Sequence, residues 1–337
     1  MKKTVSIRDV AALAGTSVTT VSLILNGKGE RFSSDTTSRV LASQKKLGYY
    51  ADFFARGLVG QESHSLGIIV PQMTNPFFAE LADGIAETAK EAGYFVQVFD
   101  VSHYTDRLDF LMTQFVSGTQ RGLVLAAPKV SKDILQQIAK ANDIPYVLTD
   151  QADGDLPGLR VSIDEQAGGH LAIEHLLSLG HRHLAIVLPA NLPFNLVKRF
   201  TSYCDALTAA GIDRDQVDII RTPLSRSGGY KAATQIVQNS RVTGVVAIND
   251  DVAIGIMKGL ADLGKGVPTD YSVIGYDDTD FASYVTPRLT TIHQPVNAIG
   301  RASAQALIAQ IDRRQPTSPA ALPVSLVVRH STQQVKI

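Results

Sequence analysis

From residue 65 onward, short apolar runs alternate with amphipathic stretches, and this alternation limits the fold more than any other feature of the chain. The runs 66–70, 94–99, 122–126, 146–148, 184–188, 242–248 and 271–275 are rich in Val, Ile and Leu and read as strands. Helix candidates lie near 77–92, 106–117, 131–141, 166–180, 197–210, 228–239, 250–263 and 295–313. Continuous apolar strands, most of them followed by a helix, predict parallel sheets buried on both faces. Some 270 residues of this pattern exceed one small sheet, so two similar α/β lobes are expected.

Ligands in such folds bind beyond the carboxyl ends of the strands. The residues that follow the strands are therefore the candidates. Asn75-Pro76-Phe77-Phe78 comes after the first strand, and an amide beside aromatic faces suits a sugar. Asn249-Asp250-Asp251, Tyr276-Asp277-Asp278 and His293-Gln294-Pro295 stand after or near later runs. Such Asp, Asn and Gln side chains, with an Arg, can exchange charge-assisted hydrogen bonds with vicinal hydroxyls. Each also has a local reading that stays open. Asp250 and Asp251 can be helix caps, Asp277 and Asp278 turn residues, Phe77 and Phe78 core. Joint placement after successive strands is what favours a ligand.

The first 60 residues follow another rhythm. Residues 9–26 read as a helix, a tight turn at Gly15 and a second helix. Val10, Ala11, Ala14, Val21 and Leu25 fall on one shared face, and Ser17 can cap the second helix. This is a helix-turn-helix, which lays its second helix in the DNA major groove. A third helix is expected from a cap at Ser33 or Ser34 to about Leu47, with Val40, Leu41 and Leu47 on its apolar side and Gly48 ending it. Residues 51–60 could form one or two weak helical turns, since Gly57 and Gly60 disfavour helix.

Charge agrees with a nucleic-acid role for this end. The whole chain is neutral, with 32 basic and 32 acidic residues. Residues 1–60 hold nine Lys and Arg against four acids, which makes this segment +5 and the remainder −5. A basic head on an acidic body is the distribution that phosphate contact at one end requires.

Other classes find little support. One cysteine, Cys204, excludes an intramolecular disulfide and fits a reducing compartment. Neither a signal peptide nor an 18-residue apolar run is seen, so a cytoplasmic protein without a membrane span is expected. His170 and His175 point to different helix faces, and His181 and His183 follow Gly180 in a loop. No metal, no cofactor and no enzyme chemistry are expected; nucleophile-elbow, Walker and dinucleotide signatures are missing.

The chain resembles the lactose-repressor/galactose-repressor family of bacterial transcription regulators over nearly its whole length. The matches run through Ile7-Arg8-Asp9-Val10-Ala11, Thr20-Val21-Ser22, Leu47-Gly48-Tyr49, Asn75-Pro76-Phe77-Phe78 and Glu174-His175-Leu176. They continue through Leu179-Gly180-His181, Asn249-Asp250, Gly275-Tyr276-Asp277-Asp278, Leu289-Thr290-Thr291-Ile292 and Val328-Arg329-His330-Ser331-Thr332.

The resemblance implies a headpiece at 1–50, a hinge at 51–61 and an effector-binding, dimerising core at 62–337. The core would resemble periplasmic sugar-binding proteins, with lobe one at about 62–162 and 293–322 and lobe two at about 163–292 and 323–337. It implies a homodimer on double-stranded, pseudo-palindromic operator DNA. The chain's end soon after Thr332 leads us to expect no tetramer-forming C-terminal helix.

DNA contacts map onto Ser17, Val18, Thr19, Thr20, Ser22, Leu23 and Asn26, with Leu58 as the hinge wedge and Ala55 beside it. Leu23 departs from the arginine often found there and cannot make a bidentate pair to guanine. Effector contacts map onto Asn75, Phe77, Phe78, Asp150, Arg199, Asn249, Asp277 and Gln294. Ala126-Ala127-Pro128 is apolar where some relatives place a polar sugar contact.

The expected function is a repressor of a carbohydrate-utilisation operon controlled by a small sugar or sugar phosphate. Alternatives are control by a phosphorylated carrier-protein corepressor or by a purine. A sugar-binding transport component is the rival of another class; the basic headpiece argues against it.

Overall fold

The computed structural model describes residues 5–25, 27–49, 64–103, 108, 110, 112, 120–127, 130–141, 144–149, 156–314 and 320–335. The chain divides into two compact units, residues 1–63 and 64–337.

In the first unit the helices are Ile7–Ala14 (α1), Val18–Leu25 (α2) and Ser34–Leu47 (α3). The Ser6 backbone N–H donates to the Asp9 carboxylate at 2.8 Å, which fixes the start of α1. Gly15 ends α1 in the left-handed region at φ 63°, and the Ser17 hydroxyl accepts from the Thr20 N–H at 3.1 Å to start α2. Val10, Ala11, Ala14, Val21, Ile24 and Val40 form the small core.

Two expectations change here. Ile24 takes the buried place and Leu25 packs at its margin, because an i, i+3 step from Val21 faces α1 more squarely. Leu41 is exposed; the inner stripe of α3 is Val40 and Ser43, with Leu47 packed beside it.

The second unit holds two sheets. The first consists of Ser65–Val70 (β1), Phe95–Asp100 (β2), Gln120–Leu125 (β3), Tyr146–Thr149 (β4) and Leu159–Val161 (β5). Its order is β2-β1-β3-β4-β5, all parallel. The second consists of Leu184–Leu188 (β6), Val217–Arg221 (β7), Gly244–Ala247 (β8), Ser272–Asp277 (β9), Thr290–His293 (β10) and Ser325–Val327 (β11). Its order is β11-β10-β9-β8-β6-β7, parallel except for β11.

The seven expected strands all form, within two residues at each end. The strands β5, β7, β10 and β11 were not expected. They are short or carry charge (Leu-Arg-Val, Val-Asp-Ile-Ile-Arg), and three of them lie at a sheet edge, where one apolar face suffices.

The helices of this unit are Pro76–Glu91 (α4), Lys132–Ala141 (α5), Glu165–Ser178 (α6), Phe194–Ala209 (α7), Arg226–Gln238 (α8), Asp250–Asp262 (α9), Phe281–Tyr284 (α10) and Val296–Ile311 (α11). The helix expected near 106–117 falls largely outside the described residues. The helices α4 and α11 pack tightly on each other, and α11 also lies on β3, β4 and β5. Gly84 permits the close approach: a Cβ there would stand 2.2 Å from the Asn297 carbonyl oxygen. That contact packs the middle of α4 against the first turn of α11, which follows β10.

Among the described residues no single helix is long and apolar enough to cross a membrane.

Candidate functional site

A cavity of about 200 Å³ opens where the carboxyl ends of strands from both sheets meet. Pro71, Gln72, Asn75, Phe77 and Phe78 line it after β1. From the second sheet's side come Pro193, Asn195, Leu196, Arg199, Leu224, Asn249, Asp277 and Gln294. Seven of the eight effector candidates thus share one cavity. The eighth, Asp150, lies outside the described residues.

The wall from the first sheet is mostly apolar. Phe77 and Phe78 are buried, with ring centroids 5.1 Å apart and planes at 78°, an edge-to-face pair. Asn75 caps α4, its Oδ1 accepting from the Phe77 N–H at 3.0 Å. Its amide NH₂ remains the group able to meet a ligand.

The other wall is built on a buried charge network. Arg199 is 1% exposed and Glu165 is 3% exposed. The Arg199 Nε and Nη2 donate to the two Glu165 oxygens at 2.8 Å each, a bidentate pair. Its Nη1 donates to the Ile248 carbonyl at 2.7 Å and stands 4.0 Å from Asp277 Oδ1. The guanidinium carbon lies 3.4 Å from the Tyr276 ring centroid, and the Tyr276 hydroxyl donates to Glu165 at 3.0 Å. Burial works against the Arg199 charge, but Glu165 beside it holds the pKa above its ordinary value. Arg199 therefore reaches the cavity as an already committed cation, with two of its five N–H groups outside these bonds.

Asp277 ends β9 at φ 123°, and Asp278 follows at φ 61°. Two consecutive non-glycine residues with positive φ store roughly 1–3 kcal/mol of strain each. Asp278 is held by the Arg329 Nη2 at 2.6 Å and by the His293 Nδ1 at 3.0 Å. Asp277 Oδ1 accepts from Gln294 Nε2 at 2.6 Å. Burial raises the pKa of the Asp277 carboxyl well above the usual range; Arg199 opposes the rise and Asp250 adds to it.

Neighbouring candidates resolve differently. Asn249, not an aspartate, caps α9, its Oδ1 accepting from the Val252 N–H at 3.0 Å. Asp250 is fully buried behind the cavity. It accepts from the Thr279 N–H at 2.8 Å, the Thr279 hydroxyl at 3.2 Å and the Thr291 hydroxyl at 2.6 Å, tying three strand ends together. Burial pushes its pKa up to about 7. Asp251 pairs with Arg226 at 2.7 Å.

Asn195 was missed in the sequence. It is 6% exposed, lines the cavity, and its Oδ1 has no hydrogen-bond partner. It sits four residues before Arg199 on α7, on the same helix face, and that spacing after a strand could have identified it.

No group of three or more His, Cys, Asp and Glu able to hold a metal occurs among the described residues. His181 is a satisfied core histidine, bonded to the Thr243 hydroxyl at 2.9 Å and the Gln333 carbonyl at 3.2 Å, with its pKa lowered by burial.

In the first unit, Ser17, Val18 and Thr19 are exposed at the start of α2, while Thr20, Ser22 and Leu23 are half-buried. Ser17 and Thr20 share a hydroxyl–hydroxyl bond of 2.9 Å, so both hydroxyls are partly engaged locally. Arg8, Lys28, Arg31, Arg39, Lys45 and Lys46 are exposed on this unit. Asn26, Ala55 and Leu58 lie outside the described residues.

Residues 6–52 match the family described as bacterial regulatory proteins, lacI family, and residues 173–332 match a periplasmic binding protein-like domain. The chain is 33% identical over 336 residues to the HTH-type transcriptional regulator DegA of Bacillus subtilis, covering 97% of this chain and 98% of that protein. Among solved structures it is similar to a LacI family transcriptional regulator from Enterococcus faecium with bound ribose (34% identity, TM-score 0.75, 81% of this chain and all of that one). It is also similar to the lac repressor dimer bound to operator and the anti-inducer ONPF (26% identity, TM-score 0.83, 98% of this chain and all of that one).

Proposed function

The chain belongs to the lacI family of bacterial regulatory proteins, and from that premise we propose that it represses a carbohydrate-utilisation operon under the control of a small sugar bound in the cavity. The observation that carries the sugar reading is the lining itself. An edge-to-face Phe77–Phe78 pair faces Asp277, the free NH₂ groups of Asn75 and Asn249, and the unpartnered Oδ1 of Asn195. A polyol offers apolar C–H faces to the rings and hydroxyls that both donate and accept. At about 200 Å³ the cavity lies below the roughly 300–1,000 Å³ typical of drug-sized ligands, which favours a monosaccharide.

In this reading the DNA-binding headpiece is residues 1–50, residues 51–61 are the hinge, and the core dimerises. Two headpieces read a pseudo-palindromic site in cytoplasmic DNA. Val18, Thr19 and Leu23 meet base edges, while Ser17, Thr20, Ser22 and Asn26 meet phosphates, and Leu58, beside Ala55, wedges into the minor groove. Sugar binding biases the relative orientation of two lobes, about 62–162 with 293–322 and 163–292 with 323–337. It controls DNA binding only through its different affinity for the two states.

A thermal-shift screen of the full chain against pentoses, hexoses, sugar phosphates and purines tests this. A sugar at a hundred times its Kd adds about 2.7 kcal/mol of stability. The expected hit shifts operator affinity and is weakened by Asn195→Ala. A hit among purines alone, or control by a phosphorylated carrier protein with no small-molecule hit, would replace the reading.

A further inference from the structure

Arg199 is the one Lys or Arg side chain among the described residues that line the cavity. A single buried arginine facing a ligand would ordinarily make the site welcome to anions. Here Glu165 changes that. It does not line the cavity; it lies behind Arg199 and holds it by two 2.8 Å bonds. Both groups are withdrawn from water, so the pair is screened little. The second carboxylate, Asp277, faces the ligand directly and stands 4.0 Å from Arg199 Nη1. An anionic ligand thus meets one guanidinium already balanced by Glu165, and no surplus cation in the lining.

Resting on the small-sugar reading above, we propose that Glu165 is a specificity-determining positioning residue. By neutralising Arg199 from behind, it makes the cavity select neutral monosaccharides and reject their phosphorylated or carboxylated forms. Arg199 then serves as a fixed hydrogen-bond donor to ligand oxygens, oriented by Glu165 and by the Tyr276 ring beneath it. The Tyr276 hydroxyl contributes to orientation through its bond to Glu165 and carries no part of the charge balance.

The test is calorimetric titration of the full chain with matched pairs: ribose and ribose 5-phosphate, fructose and fructose 6-phosphate, glucose and glucose 6-phosphate. The wild type is expected to bind the free member of its preferred pair at least tenfold more tightly. Glu165→Gln is expected to shrink that ratio by about tenfold or more, the scale of one buried charge a few ångströms from the ligand. Tyr276→Phe, which keeps both charges, is expected to leave the ratio within about threefold.

A wild type that prefers the phosphorylated member overturns the proposal and leaves the small-sugar reading standing. This holds even if Glu165→Gln does not fold. So does a folded Glu165→Gln variant with an unchanged ratio, or a Tyr276→Phe variant that shifts it equally. A wild type that binds no monosaccharide of either kind overturns both.

Discussion

The two walls of the cavity are built by opposite means. The wall from the first sheet is local: Asn75, Phe77 and Phe78 lie within four residues at one helix start, and their order is fixed by one cap and one ring pair. The wall from the second sheet is assembled at long range. Glu165, Arg199, Tyr276 and Asp277 come from three elements more than 100 residues apart at the extremes, bound by ion pairs and hydrogen bonds that exclude water. The local wall supplies area and shape. The assembled wall supplies direction, because buried donors and acceptors tolerate little displacement once satisfied. A binding site of this kind needs both, and the two should fail differently when cut.

The largest expected effect is on the assembled wall. Arg199→Leu leaves Glu165 buried without its partner and is expected to cost about 3–5 kcal/mol in urea unfolding. A loss below about 1 kcal/mol would show that water enters and relieves the carboxylate. Next comes the packing of α4, which carries the local wall, on α11. Gly84→Ala forces α4 from the Asn297 carbonyl, with an expected cost of about 1–3 kcal/mol and a weaker ligand affinity.

Another expected effect is the pH response behind the assembled wall. The folded-state pKa of Asp250 is raised to about 7 from an ordinary 3.8 by burial. The folded state therefore binds the proton more tightly than the unfolded chain. The stability this contributes is fully present below about pH 4 and is lost as pH rises through about 7, at up to about 1.4 kcal/mol per pH unit. Asp250→Asn is expected to flatten this part of the stability–pH curve. A variant curve parallel to the wild type over pH 4–7 would contradict it.

The mildest predicted stability change is Asn195→Ala, within about 0.5 kcal/mol because no internal bond to Oδ1 is lost, with ligand affinity down by about tenfold. In the headpiece, Leu23→Ala is expected to leave base preference almost unchanged in a binding-site selection. A strict guanine requirement that vanishes with it would overturn the reading of Leu23 as a contact unable to pair.

The same contrast explains what the sequence could reveal. Seven strands and both sheets were legible because buried parallel strands write themselves as unbroken apolar runs. Thr290–His293 was not, because a four-residue strand ending in a histidine has no such run. The Asn75–Phe78 wall was legible as one contiguous motif. Asp277 and Gln294 were legible from their place after or near strand runs, while Arg199 was placed at the site through family resemblance. Glu165 was not placed there at all, since nothing in Asp164-Glu165-Gln166 signals a partner 34 residues on. Asp250 stood in the right stretch for another reason: it fastens strand ends, while its neighbour Asn249 caps the helix.

The proposed function requires this cavity to bind a small sugar and to relay that binding to DNA. The most direct test is fluorescence anisotropy of the full chain on its selected operator, with and without the best-bound monosaccharide. At least a fivefold change in DNA affinity is expected with the sugar, greatly reduced in Asn195→Ala at the same sugar concentration. A DNA affinity indifferent to every monosaccharide, yet altered by a purine or a phosphorylated carrier protein, would contradict it.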